Sequence, residues 1–164
     1  MLVSCQDETY IRFYEYNQSN KLYVNKKKFR FQYFVDNLLY TKDNEILLLQ
    51  NTYPGSGFKL VLFDFKNKMD KELIYSNGNQ LIYEPFKFLN KNIVAVIMNK
   101  TIYLIDIYQK YNIITKFESK NFGGLNCLCV MKNNCIITGD DNGILTLLEF
   151  KNDQLNYKKN IGLE

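Results

Sequence analysis

Short apolar runs separated by polar clusters recur along the whole chain. The runs are dense in isoleucine, valine, leucine, phenylalanine and tyrosine, as in segments 46–49, 93–97, 102–107 and 144–150. Asparagine, aspartate, glycine or lysine clusters bound each run, which is typical of β-strands joined by turns. No segment of ten or more residues keeps an apolar stripe with a 3.6-residue period. The pattern therefore predicts an all-β protein.

One six-residue pattern occurs four times. The segments IRFYEY, LVLFDF, IYLIDI and LTLLEF begin at positions 11, 60, 102 and 145, so the intervals are 49, 42 and 43 residues. Each segment reads apolar, any, apolar, apolar, acidic, apolar. The acidic position holds Glu15, Asp64, Asp106 and Glu149 in turn. Because these carboxylates recur once per repeat, we expect local hydrogen bonds or solvation at strand ends, and not a catalytic set.

Further apolar segments flank each repeated one, such as 22–25 after the first and 38–41 before the second. A complete unit therefore holds four strands in about 43 residues, the length of one propeller blade. The predicted units are about 1–34, 35–79, 80–122 and 123–164. The first unit begins at its second strand, which gives about 15 strands in total. This organisation predicts one domain of four-stranded antiparallel blades in a β-propeller or partial propeller.

The repeats resemble those of the WD-repeat β-propeller family. CIITGDDNGILTLLEF (135–150) is the stretch most similar to the family's strand-turn-strand pattern, in which an Asp-Gly turn and an apolar strand lead to Trp-Asp. The chain lacks tryptophan and histidine. The hydrogen-bonded tetrad of typical members therefore cannot form, and apolar packing must join the blades. The family's Trp position is occupied here by Tyr14, Phe63, Ile105 and Leu148.

Four units are few for this family, and three explanations stay open. The chain is a piece of a longer protein, it pairs with another chain that completes the ring, or it closes alone with four blades. A β-sandwich is the rival architecture, but the regular 42- to 43-residue spacing argues against it.

The amino-acid composition excludes several kinds of catalytic and metal-binding site. With no histidine, the chain lacks the commonest general base and metal ligand, and Ser-His-Asp catalysis cannot be built from it alone. We expect no enzyme activity, no cofactor and no metal site. The formal net charge of +4 is too small and too scattered to predict specific nucleic-acid binding. The four cysteines, Cys5, Cys127, Cys129 and Cys135, are expected to be reduced and packed in the core.

No apolar stretch reaches the ~20 residues of a transmembrane helix. Asp7 and Glu8 come too early in the chain for a signal peptide. We therefore expect no transmembrane segment and a cytoplasmic location, with the cilium and the nucleus as alternatives.

Three local motifs have competing interpretations. Asp140-Asp141-Asn142-Gly143 is expected to be a hairpin turn, because it lacks the alternating acidic ligands of a calcium loop. The segment 53–57 lengthens one turn and is expected to be a surface loop with a contact role as the lesser alternative. The basic run of Lys26, Lys27, Lys28 and Arg30 is expected to protect a strand edge, with phosphate or lipid contact as the weaker option.

The predicted function is a non-enzymatic scaffold for protein–protein interaction. The alternatives are a structural propeller segment of a larger enzyme or of a trafficking or ciliary assembly, and, less favoured, an RNA- or phospholipid-binding propeller. The expected partners are other proteins or peptides, including a chain that completes the propeller. The predicted contact residues lie on turns at one rim: Asp7, Glu8, Tyr53, Pro54, Gly55, Ser56, Gly57, Asn99, Lys100, Lys120, Asn121, Asp140, Asp141 and Asn142.

Overall fold

The computed structural model describes residues 2–5, 8–42, 44–52, 57–77, 85–120 and 124–162. These residues form antiparallel strands throughout, with one 3-10 turn at Lys132–Asn134. The prediction of an all-β protein is confirmed. The strands are β1 (Leu2–Cys5), β2 (Glu8–Asn17), β3 (Leu22–Lys42), β4 (Glu45–Asn51), β5 (Phe58–Asp64), β6 (Met69–Ser76), β7 (Phe86–Phe88), β8 (Ile93–Met98), β9 (Thr101–Asp106), β10 (Asn112–Glu118), β11 (Leu125–Val130), β12 (Cys135–Asp140), β13 (Ile144–Lys151) and β14 (Gln154–Gly162).

The chain divides into two compact units, Met1–Asn77 and Gly78–Glu164. Within the described residues, the first unit holds a six-stranded sheet in the order β1-β2-β3-β4-β5-β6. The second unit holds two four-stranded sheets, β10-β9-β8-β7 and β11-β12-β13-β14. The four-stranded antiparallel blade predicted from the repeat is therefore present twice in the second unit.

The first unit differs from the prediction at one strand. The sequence predicted separate strands at 22–25 and 38–41, but both lie in the 21-residue strand β3. Its first part pairs with β2, as Leu22 pairs with Asn17, and its last part pairs with β4, as Lys42 pairs with Glu45. Register shifts on both sides of Val35 mark the change of partner, as β-bulges do where a strand bends. The predicted boundary between units at 34/35 falls inside this strand.

The core of the first unit joins residues of β2 and β3 with residues of β4 and β5. Its buried members come from β2, β3, β4 and β5 and from the residue after β5. Phe13 of β2 packs against Phe65, with their ring centroids 4.7 Å apart. Strand β3, which pairs first with β2 and then with β4, connects the two parts of this core. The core consists of Ile11, Phe13, Val35, Ile46, Leu48, Val61, Phe63 and Phe65.

The core of the second unit lies between its two four-stranded sheets. Ala95, Ile97 and Leu104 of one sheet pack with Leu128 and Ile136 of the other. All these side chains are aliphatic, so apolar packing joins the two sheets as the sequence predicted. Strand β8 is buried almost along its whole length, which explains why it reads as a continuous apolar run and not as an alternating one. No helix in the described residues is long and apolar enough to cross a membrane.

Candidate interaction surface

The turn after β8 in the second unit lies beside two chain segments that are distant in sequence. The backbone N–H of Leu125 donates to the carbonyl oxygen of Asn99 at 3.2 Å, and that of Ser119 donates to the carbonyl oxygen of Lys100 at 2.9 Å. These bonds hold the β8–β9 turn against the end of β10 and the start of β11. The structure therefore brings the turn at Asn99 and Lys100, which the sequence placed on one rim, next to the segment that leads to Lys120, placed on the same rim.

The β12–β13 turn joins the same group. The Asp140 carboxylate accepts hydrogen bonds from the backbone N–H groups of Asn142 (3.0 Å) and Ile144 (2.9 Å), which confirms the predicted hairpin. Asp141 and Gly124 exchange two hydrogen bonds, one through the Asp141 carboxylate (3.1 Å) and one through its N–H (3.2 Å). The acidic side chains thus stabilise the turn and tie it to the chain before β11. We call Asn99, Lys100, Lys120, Asp140, Asp141 and Asn142 the turn cluster.

A cleft of 440 Å³ opens near the turn cluster, between the outer strands β10 and β14. Its polar groups include Lys120, and its floor includes the hydroxyl of Thr146, which donates to the side-chain oxygen of Asn160 at 3.1 Å. Tyr157 stands at its border with 53% of its surface exposed. We call this the outer-strand cleft; it is lined by Phe117, Ser119, Lys120, Thr146, Tyr157 and Asn160.

Apart from Gly57, the side chains of the predicted contact residues that do not belong to the turn cluster lie outside the described residues. Asp7, Tyr53, Pro54, Gly55, Ser56, Asn121 and the side chain of Glu8 lie outside the described residues. Gly57 is described immediately before β5, with φ at +133°. Its carbonyl oxygen accepts from both the N–H (2.9 Å) and the hydroxyl (2.8 Å) of Thr52. These bonds close the base of the 53–57 loop, and the contact role of that loop stays a prediction.

The repeated aspartates have the local role that the sequence predicted. Asp64 accepts from the backbone N–H groups of Lys66 (2.9 Å) and Asn67 (3.0 Å). The hydrogen bond from the backbone of Asn67 is the main reason why the pKa of Asp64 lies below its ordinary value. Asp106 accepts in the same way from Tyr108 (2.7 Å) and Gln109 (3.0 Å). Each aspartate therefore closes the turn that follows its strand.

The repeated glutamates pair with lysines on the neighbouring strand instead. Glu15 contacts Lys26 at 3.5 Å, and Glu149 contacts Lys158 at 2.5 Å. The hydrogen bond from Lys158 lowers the pKa of Glu149, and the same bond raises the pKa of Lys158. The glutamate side chain is long enough to reach a lysine on the neighbouring strand, whereas the shorter aspartate reaches only the backbone of its own turn.

The cysteine prediction is wrong for two of the four thiols. Cys127 and Cys129 are exposed, and Cys135 is partly exposed, whereas the side chain of Cys5 lies outside the described residues. The alternation along β11 explains this, because Leu128 between them takes the buried side. Within the described ranges, no three His, Cys, Asp or Glu side chains gather as metal ligands.

The structure also assembles a basic site that the sequence did not predict. The turn after β5 places Lys66 and Lys68 beside Lys27, Lys28 and Arg30 of β3 around a cleft of 400 Å³. Phe29 and Phe65 complete its lining. We call these seven residues the basic cleft. The run 26–30 was visible in the sequence, but the two turn lysines lie about 40 residues further along the chain, and only their shared fold connects them.

Comparison with solved structures identifies the fold. The chain superposes on a solved structure described as "Crystal structure of RRP9 WD40 repeats" with a TM-score of 0.67, over 98% of this chain and at 11% sequence identity. The fold is that of WD40 repeats. The chain spans 50% of the length of that solved chain. No protein-family model matches the sequence, and no curated protein matches it.

Proposed function

We propose that this chain is a non-enzymatic scaffold that binds extended peptide segments of other proteins in the outer-strand cleft. The observation that carries the proposal is the cleft itself, a 440 Å³ depression with aromatic, hydroxyl, amide and ammonium groups. Its volume lies in the range of about 300–1,000 Å³ that is usual for ligand sites. The WD40-type fold supports the proposal, because such blades present many loops on a rigid frame.

The position of the cleft between two outer strands favours an extended peptide. In the described part of the chain, β10 pairs only with β9, and β14 pairs only with β13. Each strand therefore presents an outer edge, and an extended peptide can add backbone hydrogen bonds to such an edge. Neighbouring side-chain sites would then provide specificity.

The lining predicts the chemistry of the peptide. Phe117 and Tyr157 offer apolar ring surface, and Lys120 is an exposed cation beside them. The described lining contains no carboxylate. We therefore expect a peptide with one large apolar side chain and an acidic residue next to it. The lack of a carboxylate or imidazole among these lining residues also fits a binding role better than an acid–base one.

The test is selection of peptides from a random display library on the full chain, followed by fluorescence anisotropy with the selected sequences. Tyr157→Ser removes an aromatic contact, and loss of such a contact costs binding about tenfold or more. Lys120→Glu should select against acidic peptides. Tyr108→Ser is the matched control, because Tyr108 is also exposed, at 68%, but lies on the β9–β10 turn.

Two results would contradict the proposal. Peptides that bind the Tyr157→Ser and Lys120→Glu variants as well as they bind the unchanged chain would place recognition elsewhere. Selection that yields no binding peptide would favour the alternative role, a structural segment whose blades hold other parts of a larger assembly.

A further inference from the structure

The basic cleft of the first unit gathers five cations from two separate segments. Lys27, Lys28 and Arg30 come from β3, and Lys66 and Lys68 come from the turn after β5. All five side chains are exposed, and the described lining of the cleft contains no carboxylate. Like charges repel one another when they are held together. Their gathering therefore favours an anionic ligand.

The turn that carries Lys66 and Lys68 is firmly held. Asp64 accepts three hydrogen bonds from the turn, two from backbone N–H groups and one from the Asn67 side chain at 2.7 Å. Phe65 is 7% exposed and packs on Phe13 of β2. The buried ring and the capped turn fix the two lysines opposite β3. Little conformational freedom would therefore be lost in this backbone when a ligand binds.

Edge protection does not explain the whole cleft. In the described residues, the part of β3 that carries Lys26, Lys27 and Lys28 pairs with β2 alone, so lysines there discourage pairing with another chain. Lys66 and Lys68 do not belong to that edge. Their position beside it needs a second explanation, and a shared anionic ligand provides one.

Tyrosines lie on the opposite face of the same hairpin, where the Lys28 ammonium lies 3.7 Å and the Arg30 guanidinium carbon 5.8 Å from the centre of the Tyr10 ring. Tyr10, Arg12, Tyr14 and Tyr16 occupy alternate positions of β2, so they face away from the core side chains between them. The exposed Tyr16 pairs across the hairpin with Tyr23, with ring centroids 5.3 Å apart. The Tyr16 and Tyr23 side chains are 46% and 56% exposed. Nucleic-acid bases stack on rings of this kind.

We infer that the basic cleft and the adjacent tyrosines bind single-stranded nucleic acid. Positions 26 to 30 extend over roughly 13 Å of β3, at about 3.3 Å per residue. A row of cations follows a phosphate backbone, and aromatic side chains next to it take the bases; single-strand binders combine these two features. A phosphoinositide headgroup would use the cations and leave the tyrosines without a role. The inference is independent of the peptide site in the second unit.

The experiment is fluorescence anisotropy of the full chain with a labelled uridine oligonucleotide of about ten nucleotides, over a series of salt concentrations. Three to four phosphate contacts predict a slope of about −2 to −3 for log K against log salt. Lys66→Gln with Lys68→Gln should weaken binding and reduce the slope by about 1.4. Tyr16→Ser with Tyr23→Ser should weaken binding about tenfold and leave the slope unchanged.

The control variant also removes two positive charges, but from the second unit. Lys91→Gln with Lys159→Gln changes two exposed lysines of the second unit and should leave the affinity nearly unchanged. Circular dichroism of each variant confirms folding, and the single lysine variants replace the double one if it does not fold. Absence of binding, equal loss in the control variant, or binding only to phosphatidylcholine vesicles containing phosphoinositide would overturn the inference.

Discussion

Replacing Gly57 with alanine tests the local geometry most directly. Gly57 has φ at +133°, a region that L-residues rarely adopt. A Cβ built there would lie 2.2 Å from the carbonyl oxygen of Ser76 and 3.0 Å from its carbonyl carbon. Both are backbone atoms of the paired strand β6, so no side-chain rotation can relieve the contact. The backbone itself has to move, and the paired strands move with it.

The size of the effect follows from two costs. An unfavourable backbone conformation costs about 1–3 kcal/mol. Displacement of the strand pair adds to this, so we expect a loss of about 3 kcal/mol or more in the free energy of unfolding. For a chain of this length, that corresponds to about 6–12 °C in melting temperature. Gly143→Ala is the control, because Gly143 also has a positive φ, +75°, but its Cβ would meet nothing within 4 Å. That variant should lose about 1 kcal/mol.

The assay is urea unfolding followed by circular dichroism and tyrosine fluorescence, with both variants and the unchanged chain measured together. The difference between the two alanine variants isolates the contact with Ser76 from the cost of a positive φ. If Gly57→Ala loses no more stability than Gly143→Ala, the described backbone around Ser76 is wrong, and the reasoning fails with it.

Two further predictions concern the core and the capped turn. Leu104→Ala removes a fully buried side chain between the two sheets of the second unit, so urea unfolding should show a loss of about 2–5 kcal/mol in the free energy of unfolding. The control Leu22→Ala, at a position that is 62% exposed, should change this free energy little. Asp64→Asn keeps a hydrogen-bond acceptor but removes the carboxylate charge, which the backbone hydrogen bond from Asn67 stabilises, so that the pKa of Asp64 is lowered. Because that pKa is lower in the folded state, the aspartate stabilises the fold above its unfolded pKa of about 4, and this contribution is lost as the pH falls. If the stability difference between the unchanged chain and the Asp64→Asn variant persists unchanged at pH 2 to 3, the role of the charge is contradicted.

The strands could be predicted because strand formation depends on residues that are close together in the sequence. Apolar runs, polar turns and a regular spacing predicted strands close to those observed, such as β4, β8 and β9. The acidic residue of each repeat was expected to make a local hydrogen bond or to be solvated at a strand end, and Asp64 and Asp106 make such hydrogen bonds. Turn geometry within a few residues follows from side-chain length and backbone donors, which the sequence states directly.

The predictions that were wrong are those for which the local sequence fits two structures equally well. The sequence predicted two strands within 22–42, at 22–25 and 38–41 in separate units, whereas pairing with β2 and then with β4 keeps the whole segment extended. Cys127 and Cys129 were expected in the core, but the register of β11 buries Leu128 and turns its neighbours outward. A shift of one residue in register exchanges the two faces of a strand, and composition does not determine which face is buried.

Sequence alone therefore determined the all-β class, the four repeated segments and the absence of histidine chemistry, because each is a property of residue order and type. Tertiary structure alone decided which distant residues share a surface. It placed Lys66 and Lys68 beside Lys27 and Lys28, and Lys120 beside Tyr157 across the gap between β10 and β14. Pairing and packing between segments far apart in the chain create both sites, and those long-range contacts are not encoded in any local pattern.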